Sequence, residues 1–343
     1  MSKENDNGSH TLCVVILNWN NGRDTVECLD SLVKSIMNFS LRIVVCDNKS
    51  CDDSVEQIRH WGESCQYKTN EFFLDKSRRI FFMPDRNSIS FASVEPLENC
   101  LYLIHNGANL GFSGGNNTGI RFASKHLEFD FLLILNNDAV VTENALNAMV
   151  LRLLEDDRIG ICGAKIVYAH TPDRVQAWGG ASFSPLFGRA KHIGSYAHID
   201  LIPDRRWVEH RLDYVLGVAM MVSKSFINEV GLLSEDYFLY FEEADWAVRA
   251  LRKGYKLGYS PDAVIYHKEG ATIGSSHDNN KRSLLSEYHL LRSRLIFTRK
   301  FYPWFLPTVI GYSTLLIGRV LVKRDWKRGR IMFRALFGLE FSR

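Results

Sequence analysis

The chain has 343 residues, 46% of them hydrophobic and 24% charged, with a formal net charge of +3. That length holds one large α/β domain with an appendage, or two modest domains, and the composition excludes a low-complexity or wholly disordered chain. Charge is unevenly divided: residues 281–343 carry 14 Lys and Arg against 3 Asp and Glu, leaving 28 against 36 in the rest. A basic segment on an acidic body points to an anionic partner surface, either membrane headgroups or nucleic acid; with the motifs below, the expectation becomes a membrane surface and no nucleic acid.

Residues 1–10 are polar, carry no apolar signal segment and are expected to be disordered. Residues 12–17 form an unbroken apolar run, as in a strand buried on both faces of a parallel sheet. Asp24 with Glu27 has the spacing of a capping box opening a helix to about Ser35. A second buried strand is expected over 41–46, and Asp53 with Glu56 predicts the next helix start. This β-α-β-α alternation is that of a doubly wound sheet.

Residues 66–100 break the rhythm and read as an insertion with one or two short strands. The strand pattern resumes at 101–105, a helix is expected over 114–125, a strand over 131–135, and a helix capped by Thr142 running to about Asp156. Further on, 214–222 reads as one strand, 224–230 as a short helix and 243–253 as a helix closed by Gly254. Two short strands, 256–259 and 264–266, are expected on either side of Ser260-Pro-Asp262. The seven cysteines form no CxxC pair and none lies beyond Cys162, so reduced thiols in a cytosolic setting are expected rather than a disulfide framework or zinc site.

Four segments carry chemistry. Asp47 ends a strand at the edge where open α/β sheets bind ligands; it can accept from a base or ribose, or close an Asx turn. The stretch 109–119, rich in Gly and Asn and including Asn109, Gly111 and Gly115, leads into a helix, where glycines let backbone approach a phosphate closely. It lacks the Lys-Ser/Thr pair of a phosphate loop. Asn136-Asn137-Asp138 sets an acid at a strand end, the oxygen chemistry that a hard cation such as Mg²⁺ or Mn²⁺ takes alongside substrate phosphates. Glu242, Glu243 and Asp245 stand among Tyr237, Phe238, Tyr240, Phe241 and Trp246. Carboxylates in such company need a cation, a proton or a reacting hydroxyl beside them, because an unpaired buried charge is costly.

In order, these motifs resemble inverting glycosyltransferases of family 2, in the rhamnosyltransferase-like branch. The matching residues are Val15-Ile-Leu-Asn-Trp-Asn20, Val45-Cys-Asp-Asn48, Asn109-Leu-Gly-Phe-Ser-Gly-Gly-Asn-Asn117, Leu135-Asn-Asn-Asp138, Gly217-Val-Ala-Met220 and Tyr237 to Asp245. The resemblance implies a GT-A fold: a mostly parallel central sheet flanked by helices over residues 11–280, followed by a basic, apolar helical region over 281–343. It implies that Asp47 and Asn18 hold the nucleotide base, and that Asn109, Gly111, Gly115, Asn137 and Arg292 contribute to donor binding. It further implies that Asp138 and His267 hold a divalent cation, with Asn136 where the family has its first metal-motif acid. Glu243 falls at the general base, supported by Glu242 and Asp245. The implied activity transfers a sugar, rhamnose being one candidate, from a nucleoside-diphosphate donor such as dTDP-rhamnose or a UDP-sugar. The implied acceptor is a lipid-linked glycan of bacterial surface polysaccharide synthesis, at the cytoplasmic face of the plasma membrane.

Residues 301–318 contain no charge, and basic clusters flank them. Bilateral positive charge fits a segment lying on an anionic leaflet better than one crossing it. Packing on the catalytic domain or on a second copy of the chain is the alternative. Two rival functions are a sugar nucleotidyltransferase, although the chain has Asn18-Trp-Asn-Asn-Gly22 where a Gly-rich Arg/Lys signature belongs, and an inactive binding scaffold, for which Asn136 is the hint.

Overall fold

The computed structural model describes residues 10–74, 80–85, 88–90, 100–269 and 283–341, with the side chains of 74, 80–85 and 88–90 excepted. The strands are β1 (Thr11–Asn18), β2 (Ser40–Asp47), β3 (Lys68–Leu74), β4 (Ile80–Asp85), β5 (Ser88–Ser90), β6 (Cys100–His105), β7 (Phe131–Asn136), β8 (Ala139–Val141), β9 (Ile159–Tyr168), β10 (Val175–Trp178), β11 (Gly180–Ser184), β12 (Arg189–His192), β13 (Tyr214–Val215), β14 (Ala219–Ser223) and β15 (Lys256–His267). The helices are α1 (Gly22–Val33), α2 (Ser54–Ser64), α3 (Gly111–His126), α4 (Ala145–Glu155), α5 (Arg205–Glu209), α6 (Lys224–Val230), α7 (Glu242–Arg252), α8 (Leu284–Phe301), α9 (Leu306–Val322) and α10 (Trp326–Leu336).

Among the described residues the main sheet runs β5-β4-β3-β6-β2-β1-β7-β14-β9-β15-β8, with β10 beside β9. Its centre is parallel: β1 pairs with β2 and β7, and β6 with β2 and β3. Beyond β7 the sheet turns antiparallel at β14. A small sheet, β12-β11-β13, stands apart.

Strand alternation explains why the central strands are apolar throughout. In β1, Cys13 and Val15 enter one core with Ile120 and Phe122 of α3 and Trp246 of α7. Leu12, Val14 and Ile16 enter the other, with Leu29 of α1, Ile58 of α2 and Met149 of α4. A period of two in a strand covered on both sides leaves no polar position.

Several local expectations are corrected. Neither predicted capping box forms: α1 starts at Gly22 and α2 at Ser54, and neither has a side-chain cap bond. Asp24 and Glu27 instead take the Lys268 ammonium, so α1 is pinned to the chain just beyond β15. Thr142 does not cap α4; its hydroxyl donates to the Val264 carbonyl at 2.9 Å. The strand expected over 214–222 is two, β13 and β14, and the two expected around Pro261 are one strand, β15, with its register shifted between Ser260 and Val264. The inserted segment supplies β3, β4 and β5 at one edge of the sheet; residues 75–79, 86–87 and 91–99 of it lie outside the described residues, as does the polar stretch 1–9. All seven cysteines are free thiols.

Candidate active site

The carboxyl ends of β1, β2 and β7 open into a cleft whose space, open solvent at its mouth included, is about 810 Å³. Lining it are Leu17, Trp19, Asn48, Asn109, Gly111 and Phe112, then Asn136, Asn137, Asp138 and His267, and finally Phe238, Leu239 and Leu285. Of the residues singled out in the sequence, six therefore meet in one cleft: Asn109, Gly111, Asn136, Asn137, Asp138 and His267.

Asp138 and His267, 129 positions apart in the chain, are brought together because β8 lies antiparallel to β15, with His267 opposite Ala139. The imidazole Nε2 lies 3.2 Å from an Asp138 carboxylate oxygen, and both residues are buried. Burial alone would raise the Asp138 carboxyl, but His267 outweighs it and holds the group below its usual range. The other ring nitrogen, Nδ1, sits 2.9 Å from buried Gln176 of β10, which fixes the ring's orientation. Among the described residues no set of three His, Cys, Asp or Glu side chains gathers around a metal position. One carboxylate and one oriented imidazole nevertheless fit a divalent cation that takes its remaining ligands from diphosphate oxygens and water. Asn137 is turned away from that role in part, its amide donating to the Thr25 hydroxyl at 3.0 Å.

Asp47 and Asn18 are buried behind the cleft and do not line it. Asn18 donates to Asp47 at 2.8 Å, and Ser50 donates to it through both hydroxyl (2.6 Å) and backbone N–H (3.0 Å). The Ser50 hydroxyl also accepts from the Asn20 N–H at 2.8 Å. The pair thus stitches the β1–α1 and β2–α2 loops together, and two other members of those loops, half-buried Trp19 and buried Asn48, line the cleft. Sequence reasoning quoted both residues and assigned neither a role. Asn48 is itself fixed, donating to the Gly111 carbonyl at 3.1 Å and accepting from Asn106 at 2.8 Å.

The Gly- and Asn-rich stretch is helix, since α3 begins at Gly111, three residues earlier than expected. Gly111 sits at φ +71° with the Phe238 carbonyl against it, where a Cβ would come within 2.2 Å of that oxygen. Only glycine satisfies both conditions. Gly115 has a packing role: a Cβ there would meet Leu17 at 2.3 Å. Arg292 lies with its guanidinium beside Gly338 and does not line the cleft.

Glu242 and Glu243 open α7 directly after Tyr240 and Phe241, both left-handed at φ +69° and +72°. Glu243 is not a lining residue, but Phe238 and Leu239 of the loop that delivers it are. Burial pushes the Glu243 carboxyl up to about 7, although backbone N–H groups at the helix start pull it down. Glu242 is driven well above its ordinary value by burial and then by the neighbouring Glu243. One oxygen of each finds no hydrogen-bond partner among the described residues. Tyr214 of β13 is buried near both acids, and its hydroxyl is raised by burial first and by their charges second. The same segment returns to the cleft floor where the Asn136 N–H donates to the Val218 carbonyl at 2.9 Å.

Asp245 plays a different part. It is fully buried, accepts from Arg249 (2.6 Å) and Tyr237 (3.1 Å), and pairs with Lys300 of α8 at 2.7 Å. Those bonds occupy both oxygens, so it anchors α7 to α8 rather than facing substrate.

A strand-edge cleft with an acid–imidazole pair and a second acidic helix start suits group transfer from an anionic donor. Over residues 131–332 the chain matches the glycosyl transferase family group 2, and it belongs to that family. It is 28% identical over 290 residues to the low-salt glycan biosynthesis hexosyltransferase Agl10 of Haloferax volcanii, covering 80% of this chain and 89% of that one. It is 24% identical over 247 residues to an N-acetylglucosaminyl-diphospho-decaprenol L-rhamnosyltransferase of Mycobacterium tuberculosis, covering 66% and 78%. The structure is similar to the mannosyltransferase PcManGT of Pyrobaculum calidifontis, solved with GDP-Man and Mn²⁺, with a TM-score of 0.53 and 15% identity over 96% of this chain and 87% of that one. It is also similar to GalNAc-T7, solved with UDP, GalNAc and Mn²⁺, with a TM-score of 0.56 and 16% identity over 84% and 48%. The fold is therefore the GT-A fold, with its mostly parallel central sheet flanked by helices.

Proposed function

We propose that this glycosyltransferase moves a sugar from a nucleoside-diphosphate donor to a hydroxyl of a lipid-linked glycan, with inversion at the anomeric carbon. The observation that carries the reading is that the Asp138–His267 pair and the loop leading into Glu243 border one cleft. Trp19 and Asn48 offer a face and an amide to the nucleotide, and Asn109 with Gly111 forms the wall beside them. A divalent cation held by Asp138 and His267 would stabilise charge on the departing diphosphate. Glu243, half ionised near neutrality, takes the proton of the attacking hydroxyl, and attack opposite the leaving group inverts the centre. The L-rhamnosyltransferase among the relatives supports a rhamnosyl donor such as dTDP-rhamnose as the first to try, ahead of UDP-sugars, and its diphospho-decaprenol substrate supports a polyprenyl-linked acceptor; our reading puts the reaction at the cytoplasmic membrane face.

The test is thermal stabilisation by a panel of nucleotide sugars with and without Mn²⁺. Selective binding raises the melting temperature by mass action. A shift with one nucleotide family that grows with Mn²⁺ supports the reading; no shift with any member of the panel rejects it.

A further inference from the structure

The helical region after β15 presents a surface that the transferase chemistry does not use. The most apolar 18-residue window within residues 303–322 has a mean hydropathy of 1.6, yet only 17% of that window is buried. Along α9, Val309, Ser313 and Ile317 face inward, while Ile310, Gly311, Thr314, Leu315, Gly318 and Val322 face outward, with Arg319 of the last turn the one charge among them. Trp304 at its start is 92% exposed, Leu315 is 68% and Val322 83%. The outward face of a helix on a water-soluble protein is ordinarily polar, so this one is built to meet something apolar.

Charge follows at the end of that face. Arg319, Lys323, Arg324, Lys327 and Arg330 are exposed, and none forms an ion pair among the described residues. Asp325 is the one acid between residues 301 and 336. On α10, Trp326, Phe333 and Phe337 share an outward face with Arg330.

A membrane-crossing role does not fit the packing. The inward side of α9 is seated on the catalytic domain: Thr308 donates to the Leu186 carbonyl at 2.7 Å, and the Phe187 and Tyr312 rings meet at 5.6 Å. Arg189 and Arg294 lie over the Tyr312 ring. A helix so held has one side in protein and charged groups beside it, leaving only the other side for lipid.

We infer that the outward faces of α9 and α10 dock this enzyme onto an anionic lipid bilayer, the apolar side chains entering the headgroup boundary and the five basic residues meeting lipid phosphates. This rests on the proposed lipid-linked acceptor only for its purpose; the surface stands on its own chemistry. It would hold α8, whose first turn supplies Leu285 to the cleft, next to the bilayer.

The full chain is tested by flotation with phosphatidylcholine vesicles and with vesicles that also contain phosphatidylglycerol. It is expected to float with the anionic vesicles and to be released by salt. Each basic residue near such a surface contributes roughly fivefold in partitioning, so Lys323→Glu/Arg324→Glu/Lys327→Glu should lose at least about tenfold. Trp304→Ser/Leu315→Ser should weaken binding to both vesicles while leaving nucleotide-induced thermal stabilisation unchanged, which separates this inference from the donor reading. Three results overturn it: equal flotation of the charge variant and the parent, a dimer in sedimentation that Trp304→Ser/Leu315→Ser dissolves without altering flotation, or retention in membranes after an alkaline carbonate wash.

Discussion

Glu243→Gln separates what the acid does for catalysis from what it costs the fold. The carboxyl rises from about 4.5 to about 7 on burial. At about 1.4 kcal/mol per unit this is roughly 3 kcal/mol, and partial solvent access brings it to about 1–3 kcal/mol. The sign follows from linkage: a carboxyl raised in the folded state stabilises it while neutral. That stability is fully present below the unfolded value near 4.5 and is lost as pH rises through about 7. Glutamine stays neutral, so the variant should match the parent at acid pH and unfold less readily above neutrality, by about 1–3 kcal/mol in denaturant titrations. Turnover should fall by about 10²–10⁴-fold, the usual contribution of a general base, with donor binding preserved. In the parent, kcat/KM should climb with pH through about 7. A variant that turns over within about tenfold of the parent, or gains no stability above neutral pH, refutes the assignment.

Asp138→Ala should abolish the Mn²⁺-dependent part of nucleotide-induced stabilisation, read by thermal shift, while the metal-independent part persists. Gly111→Ala forces a Cβ to 2.2 Å from the Phe238 oxygen at φ +71°, so a loss of at least about 2 kcal/mol and a melting temperature several degrees lower are expected. Asp245→Asn removes the fully buried partner of Arg249 and Lys300 and should cost about 3 kcal/mol in chemical denaturation. A change under about 0.5 kcal/mol would show that those cations find water instead.

Much of the sheet could be read from the sequence because central strands covered on both sides write themselves as apolar runs; β1, β2, β6 and β7 fall within two residues of expectation. The errors have a common physical origin in long-range partners. Asp24 looks like a capping residue until Lys268, 244 positions away, arrives to claim it. The break between β13 and β14 serves the cleft floor at Asn136, which local propensity does not encode. Asp138, His267 and Glu243 stand out through the ordered motifs of the resemblance; the structure pairs the first two and has the loop that delivers the third border the same cleft. Gln176, which orients His267, was missed, since a lone Gln on a buried strand sends no signal. The resemblance puts Asp47 and Asn18 at the nucleotide base; the structure buries them, bonded to each other and bracing two loops from behind, while Trp19 and Asn48 line the cleft.

The strained turn before Glu243 explains why α8 belongs with the catalytic fold. Tyr240 and Phe241 are bulky residues in left-handed conformations, each costing about 1–3 kcal/mol unless its surroundings enforce it. The enforcement comes from both sides. The Phe238 carbonyl accepts from the Phe112 N–H at 2.8 Å, tying the turn to α3. From α8, Ser293 donates to the Leu239 carbonyl at 2.8 Å, Ser286 bonds the Tyr240 hydroxyl, and His289 stacks on Phe238 at 4.5 Å. A boundary drawn at residue 280 would therefore remove the brace that holds the loop delivering Glu243, and the family match runs on to residue 332. The helices that face the bilayer in our inference continue directly from that brace, so under that inference the position of Glu243 and the docking surface would be set by one connected stretch of chain.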